Sequence, residues 1–525
     1  MQRRDFNKQM AVATGAAMLS PQALQDAIAE ETGRRPNLLY IFPDQMRVQA
    51  MGIWKEAGYT DAIHGETDPV HTPSLDKLAK ESVLLNQATS THPVCSPHRA
   101  MLMSGMYPSQ NGVENGNCFK GRPQGLHNHI TCFTDVLFEA GYETAYVGKT
   151  HWERTEPLFD QNANYVGQTM DPGGHYANGY DTYIPPGRGR HGNKYWFQHI
   201  RDNHHDALAY SNRPELVDGK KDGEMHRKRE FTPKAEADVI IEFLKNESGQ
   251  RDAGKPFSLI WSPNPPHSPY FRESDCEKDV LDRYYKDMSE DELMYRPNID
   301  VEKTLEDRDK RHSPEVCTPI YYALVTGLDR QIGRVLDALE ESGEADNTIV
   351  VFTADHGEMM GSQGEMGKNQ IFQESFLVPF MIRYPNVIKH RLDDLLIGTV
   401  DIMPTLLSIM GLKDEIPDTV QGKDYAGGLV TGDYSQQPKP ESALYLHGNK
   451  KGVRTSRYTY QVDQKGQSEL YDNAADPYQM GNLSVDSIGP KDLSLLQSEL
   501  GRYLVLAEDS WAEQKKHTDL ITYPE

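Results

Sequence analysis

Cys95 stands two residues before Pro97 and four before Arg99, in the stretch HPVCSPHRAMLMSG. A thiol used to fill a core has apolar neighbours, and this one has a proline and a cation. Pro97 suits the first turn of a helix, which places Cys95 at that helix's N-terminus. Unpaired backbone N–H groups and the helix dipole favour an anion there and lower a thiol's pKa. Arg99 lies in the same first turn, where its sign opposes the dipole, so it is expected to face an anion or to orient residue 95. This chemistry is that of a reactive nucleophile attacking a negatively charged ester.

Other ionisable groups follow apolar runs. LLYIF (38–42) leads into Pro43-Asp44-Gln45 and IVVFT (349–353) into Ala354-Asp355-His356. TAYVG (144–148) leads into Lys149-Thr150-His151, and FSLIWS (257–262) reaches His267 through PNPPH. An aspartate after a strand is commonly a turn or cap residue. Four strands that each deliver polar groups past their carboxyl ends point instead to the ligand-binding edge of a parallel sheet. Asp44, Gln45, Asp355 and His356 offer three oxygen-type ligands and an imidazole. That set suits Ca²⁺ or Mg²⁺ and admits Mn²⁺ or Zn²⁺.

To position these groups the chain must alternate strands with helices. VPFMIRY (378–384) is a further strand candidate, Thr72-Pro73 opens a helix expected to run to Leu84, and Thr318-Pro319 opens another that Gly343 ends. The expected fold is α/β, a large, mostly parallel sheet sandwiched by helices. It would occupy residues 36–425, with a smaller C-terminal α+β subdomain at 426–525. Residues 152–232, rich in Gly, Asn, His and Tyr, read as an irregular substrate-side insertion. Asp275 to Arg311 is charged and reads as a surface insertion.

The bulk numbers bound the function. The chain has 525 residues, with 78 acidic against 55 basic side chains and a net charge of −23, which argues against a nucleic-acid-binding surface. Nothing approaches the roughly eighteen apolar residues of a membrane span. Arg3-Arg4, a mild apolar run from Met10 to Leu19 and the small-x-small site at Ala27 to Ala29 suggest a twin-arginine export signal over residues 1–29, hence a periplasmic or secreted protein. The five cysteines show no zinc-ligand spacing, and their odd number leaves at least one unpaired.

Taken together, these segments resemble the type I sulfatases. Cys95-Ser96-Pro97-His98-Arg99 matches their C-x-P-x-R signature, in which the cysteine is oxidised to formylglycine. PNLLYIFPDQ resembles the first metal strand, VGKTH the Lys-x-His element, NPPHSPY the histidine loop, and TADHGEMMGSQGEMGKNQ the second metal motif with its lysine. ELYDNAADPYQMGNL resembles the C-terminal signature. The resemblance implies an alkaline-phosphatase-like fold and sulfate-ester hydrolysis. It implies one divalent metal, most simply Ca²⁺, on Asp44, Gln45, residue 95, Asp355 and His356. Residue 95, hydrated to a geminal diol, would attack sulfur with one hydroxyl, and the other would later release sulfate. Arg99 and Lys149 would position the diol and His151 would assist its deprotonation. His267 and Lys368 would hold the sulfate and stabilise the leaving oxygen. A formylglycine-generating enzyme is an implied partner, and the aromatic and basic insertion suits a sulfated carbohydrate. His98, His175 and the Arg188 to Arg190 loop are candidate substrate contacts.

The chain also departs from the family pattern. Many members carry aspartate at the position of Gln45, asparagine at that of His356 and serine at that of His98. The Gln/His pair also occurs in relatives that hydrolyse phosphonate monoesters and phosphodiesters, so such a hydrolase is one alternative. A non-catalytic protein that only binds sulfated glycans is another.

Overall fold

The structure, a computed structural model, describes residues 35–114, 116–119, 122, 124–154, 181–200, 203–306 and 308–524. The expected export signal and His175 lie outside the described residues. One sheet has ten strands: β1 (Asn37–Ile41), β2 (Val83–Leu85), β3 (Glu143–Gly148), β4 (Tyr195–His199), β5 (Leu208–Ser211), β6 (His226–Arg227), β7 (Phe257–Ser262), β8 (Thr348–Phe352), β9 (Phe380–Arg383) and β10 (Arg391–Asp393). Their order across the sheet is β10-β2-β9-β8-β1-β7-β3-β4-β5-β6. The centre, from β8 to β4, is parallel; β9 and β5 run against it, and β2, β10 and β6 run with it.

The main helices are α1 (Pro73–Lys80), α2 (Cys95–Ser104), α3 (Thr232–Lys245), α4 (Pro314–Glu341), α5 (Thr399–Ile409) and α6 (Pro490–Leu506). The central strands are apolar on both faces because helices flank the sheet. All five residues of β1 are buried, and each such Leu or Ile side chain contributes about 1.5–3 kcal/mol relative to exposure. A second sheet, β11 (Ala443–His447), β12 (Lys450–Arg454), β13 (Tyr458–Asp463) and β14 (Ser468–Asp472), is an antiparallel meander. Its core includes Leu444, Val453 and Leu496, and extends to Met101 of α2 and Val400 of α5. The C-terminal unit therefore packs directly behind the helix that carries Cys95.

Three expectations fail locally. The helix opened by Pro73 stops at Lys80, and Val83 to Leu85 form β2, where pairing with β9 and β10 outweighs continuation of the helix. α4 starts earlier than expected, at Pro314, with Ser313 as its cap, so Pro319 lies inside it. The carbonyl left unpaired by Pro319 belongs to Glu315, an exposed residue. Residues 152–232 are not wholly irregular, because β4, β5 and β6 extend the main sheet. YWFQH is buried at every position and so shows no alternation that the sequence could reveal.

Candidate active site

β8, β1, β7 and β3 are consecutive neighbours and all parallel. Their carboxyl ends therefore share one edge, and the groups that follow them converge. Two glycines make the convergence possible. Gly148 has φ +109°, and a Cβ on it would lie 2.2 Å from the Ser262 carbonyl oxygen. That close approach lets the Lys149 N–H donate to the same oxygen at 2.7 Å. Gly357 follows His356, and a Cβ there would lie 1.9 Å from the Glu374 carbonyl oxygen. Gln45 and His151 hold left-handed backbones, at φ 67° and 57°. Side-chain-bearing residues adopt that region only when their surroundings impose it, as functional sites do.

Cys95 is the first residue of α2 and is fully buried. Its Sγ lies 2.9 Å from Lys368 Nζ, 3.3 Å from His356 Nε2 and 3.5 Å from Asp44 Oδ1. Arg99, one turn along, does not point to solvent. Its Nη2 reaches Asp44 Oδ2 at 3.2 Å and Asp355 Oδ2 at 3.0 Å, and its Nη1 donates to the Lys149 carbonyl at 3.0 Å. Its guanidinium also lies over the Phe42 ring. Lys149 pairs with Asp44, both fully buried. Arg99 thus ties the ends of three strands to the nucleophile helix.

Ligand atoms of Asp44, Cys95, Asp355 and His356 lie within 4.8 Å of one another. The His356 Nδ1 donates to the Gly357 carbonyl at 2.9 Å, which leaves Nε2 as the ring atom that faces the carboxylates and can ligate an ion once it carries no proton. The Gln45 N–H donates to Asp355 Oδ1 at 3.0 Å, and its Oε1 accepts from Lys368 at 2.9 Å. Two carboxylates, an amide oxygen and an imidazole lone pair around one point suit a divalent ion. Burial opposes charge on Asp44 and Cys95 adds to that, but Lys149, His267 and Lys368 together hold its carboxyl well below the usual range. Burial likewise opposes the Cys95 thiolate. Lys149, Lys368, His356 and a hydrogen bond from His151 outweigh it, so the thiol is held well below its ordinary value.

The site opens into a cavity of 280 Å³ whose walls include Gln45, His151, His267 and Lys368. A buried nucleophile within an ion cradle, in contact with a lysine that lines the adjoining cavity, is built to receive an anionic ester. The family model described as Sulfatase matches residues 36–412. The chain belongs to the sulfatase family. A second model, the C-terminal part of N-sulphoglucosamine sulphohydrolase, matches residues 361–503.

Among relatives, this sulfatase is 38% identical over 517 residues to an endo-4-O-sulfatase of Bacteroides thetaiotaomicron, covering 94% of this chain and 96% of that protein. It is 31% identical over 481 residues to an ulvan-active sulfatase of Formosa agariphila, covering 89% and 80%. A solved structure from work on the metabolism of multiple glycosaminoglycans by B. thetaiotaomicron superposes with a TM-score of 0.82 at 37% identity, covering 93% of this chain and all of that one. Sulfatases hydrolyse sulfate esters, and the family generally uses formylglycine and a divalent metal.

The ten residues singled out from the sequence as metal ligands or catalytic groups all meet at this edge or its cavity. Three other candidates are otherwise engaged or lie elsewhere. His98 is buried, and its Nδ1 is shared between Ser90 Oγ at 2.9 Å and Thr399 Oγ1 at 3.2 Å, away from the cavity walls. Arg190 is held by Asp222, Tyr183 and the Ile184 carbonyl. Arg188 is exposed and lines no part of this cavity.

Glu358, by contrast, was not anticipated. Its Oε2 accepts from the Gln45 side-chain Nε2 and from Tyr270 Oη at 2.8 Å. Its Oε1 accepts the N–H groups of Met360 at 2.9 Å and Gly367 at 2.6 Å. Its position two residues after His356 was the only signal available. Phe271, Arg308 and His312 also line the cavity. Arg308 comes from the charged stretch that the sequence places on the surface, and His312 follows directly after its end.

Proposed function

We propose that this sulfatase removes 4-O-sulfate groups from a sulfated polysaccharide, with residue 95 acting as formylglycine and with Ca²⁺ as the metal. The observation that carries the reading is the meeting of Cys95 Sγ with Lys368 Nζ at 2.9 Å, where Cys95 shares an ion cradle with Asp44, Asp355 and His356. That contact marks where the nucleophilic oxygen of the matured residue and a sulfate oxygen would each find a partner. The 4-O position and the polymeric substrate are supported by the name of the relative that is 38% identical over nearly the whole chain. An ion held on Asp44, Gln45, Asp355 and His356 would neutralise sulfate charge and acidify the nucleophile.

The remaining roles fall to the chain's own groups. Arg99 and Lys149 fix the two carboxylates and the end of β3, and so set the place of residue 95. His151, whose left-handed backbone turns it toward Cys95, takes the nucleophile's proton. Lys368 and His267 face the cavity and stabilise the sulfate and the departing oxygen. Cys95 is fully buried. The maturing enzyme must therefore act before α2 packs, which accords with a twin-arginine route that exports folded protein to the periplasm or beyond.

The test combines two measurements on protein made in its own host. The mass of the peptide holding residue 95 should show an aldehyde or its hydrate, and 4-O-sulfated oligosaccharides should release sulfate faster than 6-O-sulfated ones or phosphate diesters. An unmodified thiol, or a preference for the phosphate diester, would defeat the reading.

A further inference from the structure

The cavity beside Cys95 carries more positive charge than one sulfate needs. In a protein with 78 acidic side chains, no carboxylate is found among its described lining residues. Lys368, His151 and His267 lie at the end where Cys95 and the ion cradle sit. Arg308 is a separate cation on the rim, with His312 beside it, and both are delivered by the segment before α4. Arg308 is exposed, and among the described residues its guanidinium makes one hydrogen bond, a 3.4 Å contact to the Thr304 carbonyl.

The carboxylate that follows Arg308 in the chain is already engaged. Asp309 takes Arg311 at 2.7 Å and His312 Nδ1 at 3.1 Å. The His312 ring in turn packs on Phe271, with centroids 4.7 Å apart. The rim thus offers a guanidinium fork, an imidazole edge and an aromatic face. A planar fork suits bidentate pairing with an anion, and an aromatic face suits the apolar side of a sugar ring. At 280 Å³ the cavity is just below the range of small-ligand pockets, roughly 300–1,000 Å³, so it seats about one sugar residue of the glycan at a time.

We infer that Arg308, with His312 and Phe271, forms a second anion-binding point that selects glycans bearing a further acidic substituent, a carboxylate or a second sulfate, next to the sulfate that is cleaved. This rests on the sulfated-glycan reading above. Arg308 is a specificity determinant: it touches substrate away from the reacting atoms, and its loss leaves the bond-breaking groups in place.

Matured wild-type enzyme, R308A and R308K are compared on three oligosaccharides: a 4-O-sulfated, uronate-containing one, its carboxyl-reduced counterpart, and a carboxyl-reduced one with a second sulfate. The wild type is expected to favour the doubly anionic substrates by about 10- to 100-fold in kcat/KM, the weight of one charge-assisted hydrogen-bonded pair. R308A should lose that preference through KM, with kcat and the singly anionic substrate changed less than about twofold, and R308K should recover only part of it. The wild-type KM for the preferred substrate should also rise more steeply with salt than that of R308A. Which doubly anionic substrate depends on Arg308 identifies the second anion.

Equal wild-type rates on all three substrates, or an R308A defect shared by all three, would overturn the inference while leaving the glycan reading intact. Hydrolysis of an aryl sulfate but of none of the three would overturn both.

Discussion

The Glu358 carboxylate holds the Gln45 amide by its nitrogen, so that Oε1 is the atom turned toward Lys368 and the ion cradle. A glutamine has two ends of similar shape, and only the oxygen can ligate a metal. All four described partners of the Glu358 carboxylate are donors. The same side chain therefore sets the amide and, through the Gly367 N–H, the loop that presents Lys368.

E358Q is accordingly expected to weaken metal binding by about 10- to 100-fold, as loss of an outer-shell partner typically does. Its own NH₂ would compete with that of Gln45 and allow the amide to turn over. Calorimetric titration of metal-free protein with Ca²⁺ checks this without any assay of turnover. An unchanged affinity would show that Glu358 only braces the loop.

Arg99 has both carboxylates of the ion cradle on one nitrogen, with every partner buried. R99A leaves the Asp355 carboxylate without its guanidinium, while Lys149 still holds Asp44, a change worth about 3–5 kcal/mol in other buried pairs. Urea denaturation of the metal-free protein should show a loss of that order. Added Ca²⁺ should restore more stability to R99A than to the wild type, since the ion takes over the missing charge.

Lys368 is the cation nearest Cys95 Sγ that also lines the cavity. K368A should lower kcat/KM by about 10²- to 10³-fold, the usual weight of one preorganised donor at a developing negative charge. Circular dichroism should be unchanged, because this lysine comes from a loop and not from the core. C95A should remove turnover entirely under the same assay.

Acid should loosen the junction behind the site. His447 at the end of β11 bonds Asn369, the neighbour of Lys368. Burial, then Lys450 and Lys451, push its pKa down to about 4. Unfolded histidine takes up its proton near pH 6.5. Between these values the unfolded state binds more protons, so the contribution is full above pH 6.5 and is lost as pH falls toward 4. The H447Q variant should show a flatter decline of unfolding free energy over that window, measured by urea titration at a series of pH values.

The sequence by itself determined the chemistry: a thiol at a helix start beside a cation, and four strands that each end in ionisable residues. Those features are local, because strand ends, caps and proline positions are written within a few residues of one another. The tertiary structure alone decided which strands are neighbours. The order β8-β1-β7-β3 brings residues 44, 149, 267 and 355 to one edge, and nothing in the spacing of those numbers encodes it.

The same holds for the parts that sequence reading missed. β4 escaped notice because a strand buried on both faces has no alternation. The sequence extends a helix through β2 because the pairing partners of that strand lie some 300 residues away in the chain. Glu358, Arg308 and His312 matter through what they face, and a side chain's neighbours across the fold follow from packing and not from its own position in the chain.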